Sequence, residues 1–257
     1  MKPYFSFIYP VTFNVRFSPS ILSFFLVSLA QPVFAQNSRE MSEARTIYQK
    51  ANTNPNTATL RASLARQTSG FFGDGTFQPG ALRTFDGRYR PVPGLRFHAG
   101  LRLLEAQDSI NLDSTHLWPV GSLRGFDLGE PGGKGADAPR RFRPRLVKEG
   151  SAGSRHEFVE VLTAVDAGPL LLARLYSSGA DATAGRLSMM PLLLVGVGNE
   201  PTEPLHSITL SQGEVLRLFG KRDDDVKKFA ETQHLQYDQP ADVARMIDHY
   251  NRVAVVK

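Results

Sequence analysis

The sequence predicts an α+β fold in which β dominates: an antiparallel meander, closed into a small barrel or folded into a sandwich, with a C-terminal helical segment packed on it. Three observations carry this. Strand-like stretches recur from Gly70 to about Leu210 with short turn sequences between them. Apolar and polar residues alternate within these stretches, which is the period of a half-buried strand. After Ser211 the period becomes that of amphipathic helices. Short connections favour antiparallel neighbours, because parallel pairing needs long crossovers.

Residues 1–35 read as an address rather than as part of the fold. Lys2 and Arg16 are the only charges before Arg39, and the 15-residue apolar stretch Ile21–Ala35 ends in Val33-Phe34-Ala35. A positive start, a short apolar run and a small terminal residue predict a secretory signal peptide cleaved between Ala35 and Gln36. The run is shorter than the roughly 20 residues that cross hydrocarbon, and Pro32 breaks it. No later apolar run approaches that length, so no transmembrane span is expected in the mature chain. Its polar, helix-like end also argues against a membrane barrel. Cleavage leaves 222 of the 257 residues, and the formal charge falls from +5 to +3. The predicted location is periplasmic or extracellular. The sequence holds no cysteine, which excludes a disulfide scaffold, a zinc-thiolate site, an iron–sulfur cluster, a thiol catalyst and a cysteine-anchored lipoprotein.

The first segment of the mature chain, residues 36–70, reads as a short helix over 38–52 followed by a linker rich in Asn, Thr, Pro and Ser. A single β-rich domain then covers 71–257. Asp86-Gly87 between Leu82–Phe85 and Arg88–Arg90 predicts a hairpin with a type I′ turn. Pro93-Gly94 suits a type II turn. Leu95–His98 and Leu101–Leu103 alternate as strands, and Thr115–Phe126 holds one or two more, broken near Pro119-Val120-Gly121. Gly129–Pro139 is a Gly/Pro-rich surface loop. Glu157–Val165 and Leu170–Tyr176 form a hairpin around Asp166–Pro169. Leu187–Val197 is almost wholly apolar and is expected in the middle of the sheet.

From about residue 211 three helices follow. Ser211-Gln-Gly-Glu214 is a capping box, Asp223–Asp225 suit a positive helix start, and Pro240 marks a third start. About 47 residues bury little alone, so these helices are expected on the sheet.

Several motifs fail on inspection. His156-Glu-Phe-Val-Glu160 lacks the second histidine of a zinc-protease helix, and its alternation says strand, so no metal site is expected. Asp113-Ser114-Thr115-His116 builds no local triad, because extended geometry puts Ser114 and His116 on one face and Asp113 on the other. Asp108, Glu105 or His98 are the more distant groups able to converge on His116. Gly132–Gly135 lacks the spacing of a phosphate loop, and Val195-Gly-Val-Gly198 lacks a βαβ context. No cofactor motif is present.

The strongest compositional feature is Arg140-Arg-Phe-Arg-Pro-Arg145 with Lys148, five positive charges in nine residues. Period 2 places Arg141, Arg143 and Arg145 on one face. Two readings follow. In the first, Arg140, Arg141, Arg143, Arg145 and Lys148 dock anionic glycan, lipid headgroup or phosphate. In the second, charge and Pro144 protect an edge strand from aggregation. Arginines interleaved with aromatics on a strand put rings and charges on opposite faces, so nucleic acid is not an expected partner.

The signal peptide, the strands around Val120-Gly-Ser-Leu-Arg-Gly-Phe126, the hairpin Phe158–Leu162 with Leu170–Tyr176, and the tail Leu216–Phe219 … Ile247–Asn251 together resemble exported, uncharacterised β-meander proteins of Gram-negative bacteria. The resemblance implies an envelope location and transfers no catalytic residue. Two functions stand. One is a non-catalytic envelope module that binds or scaffolds through its basic strand, its partner an anionic glycan, a lipid headgroup or another envelope protein. The other is a cell-wall or glycan hydrolase using His116 or His156 with nearby carboxylates.

Overall fold

The structure is a computed structural model that describes residues 38–66, 70–148, 153–178 and 189–255. The expected signal peptide and the start of the Leu187–Val197 run lie outside the described residues. The chain divides into two compact units, 1–40 and 41–257. Of the first, only Ser38–Glu40 are described, as helix. The second opens with the rest of that helix, α1 (residues 38–53), and α2 (Thr57–Arg66). The expected linker is therefore half helix. Leu60 and Leu64 fall four apart in it, and Leu64 is buried against Phe71, Leu103 and Leu117.

Ten strands follow: β1 (Gln78–Arg83), β2 (Tyr89–His98), β3 (Leu103–Gln107), β4 (Thr115–Pro119), β5 (Gly125–Leu128), β6 (Arg140–Lys148), β7 (Ser154–Val161), β8 (Leu171–Ser178), β9 (Met189–Gly196) and β10 (His206–Ser207). The helices α3 (Gln212–Arg217), α4 (Asp223–Thr232) and α5 (Pro240–Val255) complete the chain. The strands make one antiparallel sheet in the order β10-β9-β8-β7-β6-β5-β1-β2-β3-β4. Two meanders, β1 to β4 and β5 to β10, meet where β5 pairs with β1. The architecture is thus α+β and β-dominant. The sheet is neither a closed barrel nor a sandwich.

It is strongly curled, and aromatic contacts measure the curl. β2 and β7 lie four ladder steps apart, which in a flat sheet separates them by about 19 Å. Yet the rings of Phe97 and Phe158 have centroids 5.8 Å apart. Phe97 also meets Phe126 and Phe142, each at 5.5 Å, and those two stack on each other at 4.7 Å. Four phenylalanines therefore fill the concave face, joined by Leu82, Leu95, Leu104 and Leu128. The second meander closes around the opposite face of β6 and β7. Leu205 bridges Val147 in parallel, donating to the Leu146 carbonyl at 2.8 Å and accepting from Lys148 N–H at 3.0 Å. Val147, Val159, Val161, Leu171, Leu175, Leu194 and Leu205 make that second core.

β6 is consequently a central strand, paired with β5 at its start and with β7 along its length. Pro144 is tolerated there because β5 pairs only with residues 140–142 and Leu205 bonds only at 146 and 148. The missing N–H falls in the gap between them. At the β5 end, Gly125 has φ +145°, and a Cβ there would lie 2.4 Å from the Phe142 carbonyl. Only glycine lets β5 approach β6 so closely.

Three local expectations change. In the β1–β2 turn only Gly87 has positive φ (79°), and Gly87 N–H bonds to the Thr84 carbonyl at 3.0 Å. This is a longer loop closed by one left-handed glycine, since a type I′ turn needs positive φ at Asp86 as well. Pro93-Gly94 lies inside β2, where a Cβ on Gly94 would strike the Gln107 amide at 1.9 Å. β9 is next to the edge rather than central, and it leaves Leu192 exposed.

The helical tail behaves as its pattern predicts. Ser211 accepts from Glu214 N–H at 3.3 Å, and α4 and α5 bury Val226, Ala230, Val243, Met246 and Ile247 against Leu162, Leu170 and Leu172 of the sheet. α5 is further fixed by Asn251, whose amide accepts from Leu170 N–H at 3.0 Å and donates to the Leu170 carbonyl at 2.8 Å. Asn52 in α1 does the same at β4, accepting from Leu117 N–H at 3.0 Å and donating to its carbonyl at 2.8 Å. Each amide imitates one residue of a neighbouring strand. Asn251→Ala should cost about 1–3 kcal/mol in urea unfolding, because both backbone groups of Leu170 lose their partner where water is largely excluded.

Candidate functional site

The basic strand divides its charges between two faces. Arg141, Arg143 and Arg145 share one, as period 2 requires, but that face points into the second core and not to water. Arg143 and Arg145 are buried. Arg143 reaches Asp127 on β5 at 2.8 Å, the carbonyls of Phe126 and Phe142 at 3.1 and 2.8 Å, and Asp166 in the β7–β8 turn. Arg141 donates to Asp166 at 2.9 Å and to the carbonyls of Thr163 and Ala164. Arg83 on β1 completes the chain with a 2.8 Å bond to Asp127. Three guanidiniums thus share two carboxylates. Arg145 donates to the carbonyls of Gly198, Val197 and Glu200, and burial pushes its pKa down, with the charge of Asp166 opposing. These three arginines are staples. They tie the 163–168 and 197–200 loops to the middle of the sheet, so of the docking strip expected from Arg141, Arg143 and Arg145 only Arg141 is part-exposed, and it is bonded to Asp166.

Arg140 lies on the other face, at the rim of the phenylalanine core. It grips Glu160 with two bonds of 2.6 and 2.8 Å, donates to the Tyr176 hydroxyl, and covers the Phe72 ring at 4.3 Å. Tyr176 in turn donates to Glu160 at 2.7 Å, and Arg174 approaches the same carboxylate at 3.5 Å. Burial pushes Glu160 up, but the bonds from Arg140 and Tyr176 and the charges of Arg140 and Arg174 outweigh it and hold the carboxyl low. Burial raises the Tyr176 phenol. One carboxylate faces two guanidiniums here, and the Arg140 side chain is 39% exposed. Lys148 at the far end of β6 is exposed. Arg140, Arg174 and Lys148 thus meet water on this side of the sheet, and Arg141 does so in part on the other.

The histidines separate clearly. His156 is exposed on β7, with no metal-ligating group of three side chains among the described residues. His98 is buried edge-on to Phe71 at 4.7 Å. Glu105 binds Arg96 and Thr115, each at 2.7 Å, and does not reach His116. Asp108 does. His116 Nε2 lies 3.3 Å from Asp108, and Nδ1 lies 3.0 Å from the Tyr48 hydroxyl of α1. A carboxylate only accepts, so the neutral ring carries its proton on Nε2, and Nδ1 accepts from Tyr48. The phenol packs against Trp118 with ring centroids 4.2 Å apart and planes tilted by 35°, and burial raises its pKa, against the pull of Arg61. A nucleophilic phenol would need the opposite shift. Bonds from the N–H groups of Ile110 and Asn111, then from His116, hold Asp108 below the usual carboxylate range.

Of the three groups the sequence offers His116, Asp108 reaches it and Glu105 and His98 do not, and no sequence signal points to Tyr48, Asp127, Glu160, Asp166 or Tyr176. These lie on other elements and carry no local signature. Comparison with protein-family models, curated proteins and solved structures found no match.

Two outcomes test this assignment. Asp127→Asn should cost about 3–5 kcal/mol in chemical denaturation, since it leaves Arg143 buried without its one buried carboxylate partner. Glu160 stabilises the fold above its unfolded pKa of about 4.3, and this contribution disappears as pH falls through the lower folded value. Glu160→Gln should therefore flatten the acid limb of the urea midpoint measured from pH 6 to pH 2.

Proposed function

We propose that the chain is an exported, non-catalytic module of the cell envelope that binds or scaffolds. The observation that carries the reading is the filled concavity: where a curled sheet would hold a ligand, Phe97, Phe126, Phe142 and Phe158 pack ring on ring. The polar groups that converge from several strands bond to one another and brace loops. The relay Asp108–His116–Tyr48 fixes α1 and the β3–β4 loop, and the phenol it could activate is held protonated. Contact with partners then belongs to the outer surface. Arg140, Arg174 and Lys148 supply a rim suited to an anionic glycan or lipid headgroup. The apolar stretch ending at Ala35, followed at once by α1, supports export.

Retention on immobilised heparin tests the rim. The Arg140→Gln/Lys148→Gln variant should elute at clearly lower salt than the parent. A folded Arg145→Gln variant should elute with the parent, because that side chain does not reach solvent. Equal elution of all three would reject the rim. Export predicts that the protein isolated from the envelope fraction begins at Gln36, and a retained Met1 would reject it.

A further inference from the structure

The connection between β3 and β4, residues 108–114, combines an ordered backbone with unburied apolar side chains. Its main chain is held by a set of local hydrogen bonds. Asp108 accepts from the N–H groups of Ile110 at 2.7 Å and Asn111 at 3.2 Å, and Asn111 accepts from Asp113 N–H at 3.2 Å. Asp108 N–H bonds the Ser114 carbonyl and Ser114 N–H the Asn111 carbonyl, both at 2.9 Å. Gln107 donates to the Leu112 carbonyl at 3.2 Å. The base of the loop is held by His116, and through it by Tyr48 of α1. Yet Ile110 is 97% exposed and Leu112 55%. The hydrogen bonds hold both side chains outward, so docking would lose little loop entropy.

Charge narrows the occupant. From Leu103 to Leu123 the sequence has no lysine or arginine, although the whole chain carries +5, and with Glu105 buried against Arg96 the loop's own charges are Asp108 and Asp113. An acidic tip is repelled by anionic leaflets. It suits a protein cleft with an apolar floor and a cationic rim.

We propose that this loop is a protein-docking finger, with Ile110 and Leu112 as anchors and Asp113 as the charge that meets the partner's basic rim. The inference rests on the reading of the chain as a binding module and adds a second surface, away from the Arg140 rim.

The test places a photo-crosslinking benzoylphenylalanine at Ile110 or at Leu112 in the full chain, in cells that make it. A control carries it at Leu101, which is 49% exposed on the β2–β3 turn. Positions 110 and 112 should give the same discrete protein adduct, and 101 should not. The adduct's protein, purified, should bind the parent at least tenfold more tightly than Ile110→Ser or Asp113→Lys. Both variants sit in solvent and should keep the parent's unfolding midpoint. No adduct from 110 and 112, an equal adduct from 101, or unchanged affinity in Ile110→Ser overturns the proposal. So does Ile110-dependent binding to phosphatidylglycerol vesicles, which would make lipid the occupant. Heparin retention is scored on the same samples, so failure of the finger and failure of the rim are told apart.

Discussion

β6 belongs to two cores at once, and Arg143 is the residue through which they meet. Phe142 on one side of the strand enters the phenylalanine stack, while Arg143 on the other enters the second core and bonds Asp127 of β5 and Asp166 of the β7–β8 turn. A side chain buried beside Val159 and Val161 would ordinarily be apolar. A guanidinium is stable there because its charge is met at bonding distance by two carboxylates and its Nη1 also reaches two carbonyls, although Nη2 is buried without a hydrogen-bond partner among the described residues. The geometry follows from that requirement. Asp127 must stand opposite Arg141 in register, Gly125 must let β5 close on β6, and the 163–168 loop must fold back over the strand. The curl of the first meander and the closure of the second therefore share one strand and one ionic chain.

The same chain explains why charge counting along the sequence misleads about surface. Five cations in nine residues read as a solvent-facing patch when only local period is known. Period correctly put Arg141, Arg143 and Arg145 on one side, but it cannot tell which side faces water when both are covered. The neutralising groups come from Asp127, Glu160 and Asp166, each contributed by a different turn or strand. The rim that remains depends on Arg140, whose side of the strand was the one the phenylalanines did not fill to the end.

What was legible locally were features whose cause is local. The N-cap at Ser211 (the half of the expected capping box that forms), the start at Pro240, the alternation through β7 and the turn before β8 each depend on neighbours within a few residues. The pairing of β5 with β1 depends on none. Pro93-Gly94 reads as a turn because nothing nearby shows that β3 ends at Gln107 and leaves that part of β2 unflanked on one side. His116 illustrates the boundary: Asp108, eight residues away across a hairpin, was within reach of pattern reasoning, whereas Tyr48 sits on a helix 68 residues earlier.

The edges of the sheet complete the logic of a cysteine-free fold that relies on packing. An open ten-stranded sheet offers two unpaired edges, and each invites a second chain. At one end the edge strand β10 is only two residues long, too short to template a ladder. At the other, the outward N–H and C=O of Leu117 at the centre of β4 are both taken by Asn52, with Arg61 bonding the same amide oxygen at 2.9 Å. Asn251 seals the isolated groups of Leu170 by the same means. Helices cannot pair with strands through their own backbone, whose groups are already bonded within the helix. An asparagine side chain presents the donor and acceptor of one peptide unit on a short stem, so it converts a helix face into a single rung of sheet. At the β4 edge this closes the central backbone groups to a second chain.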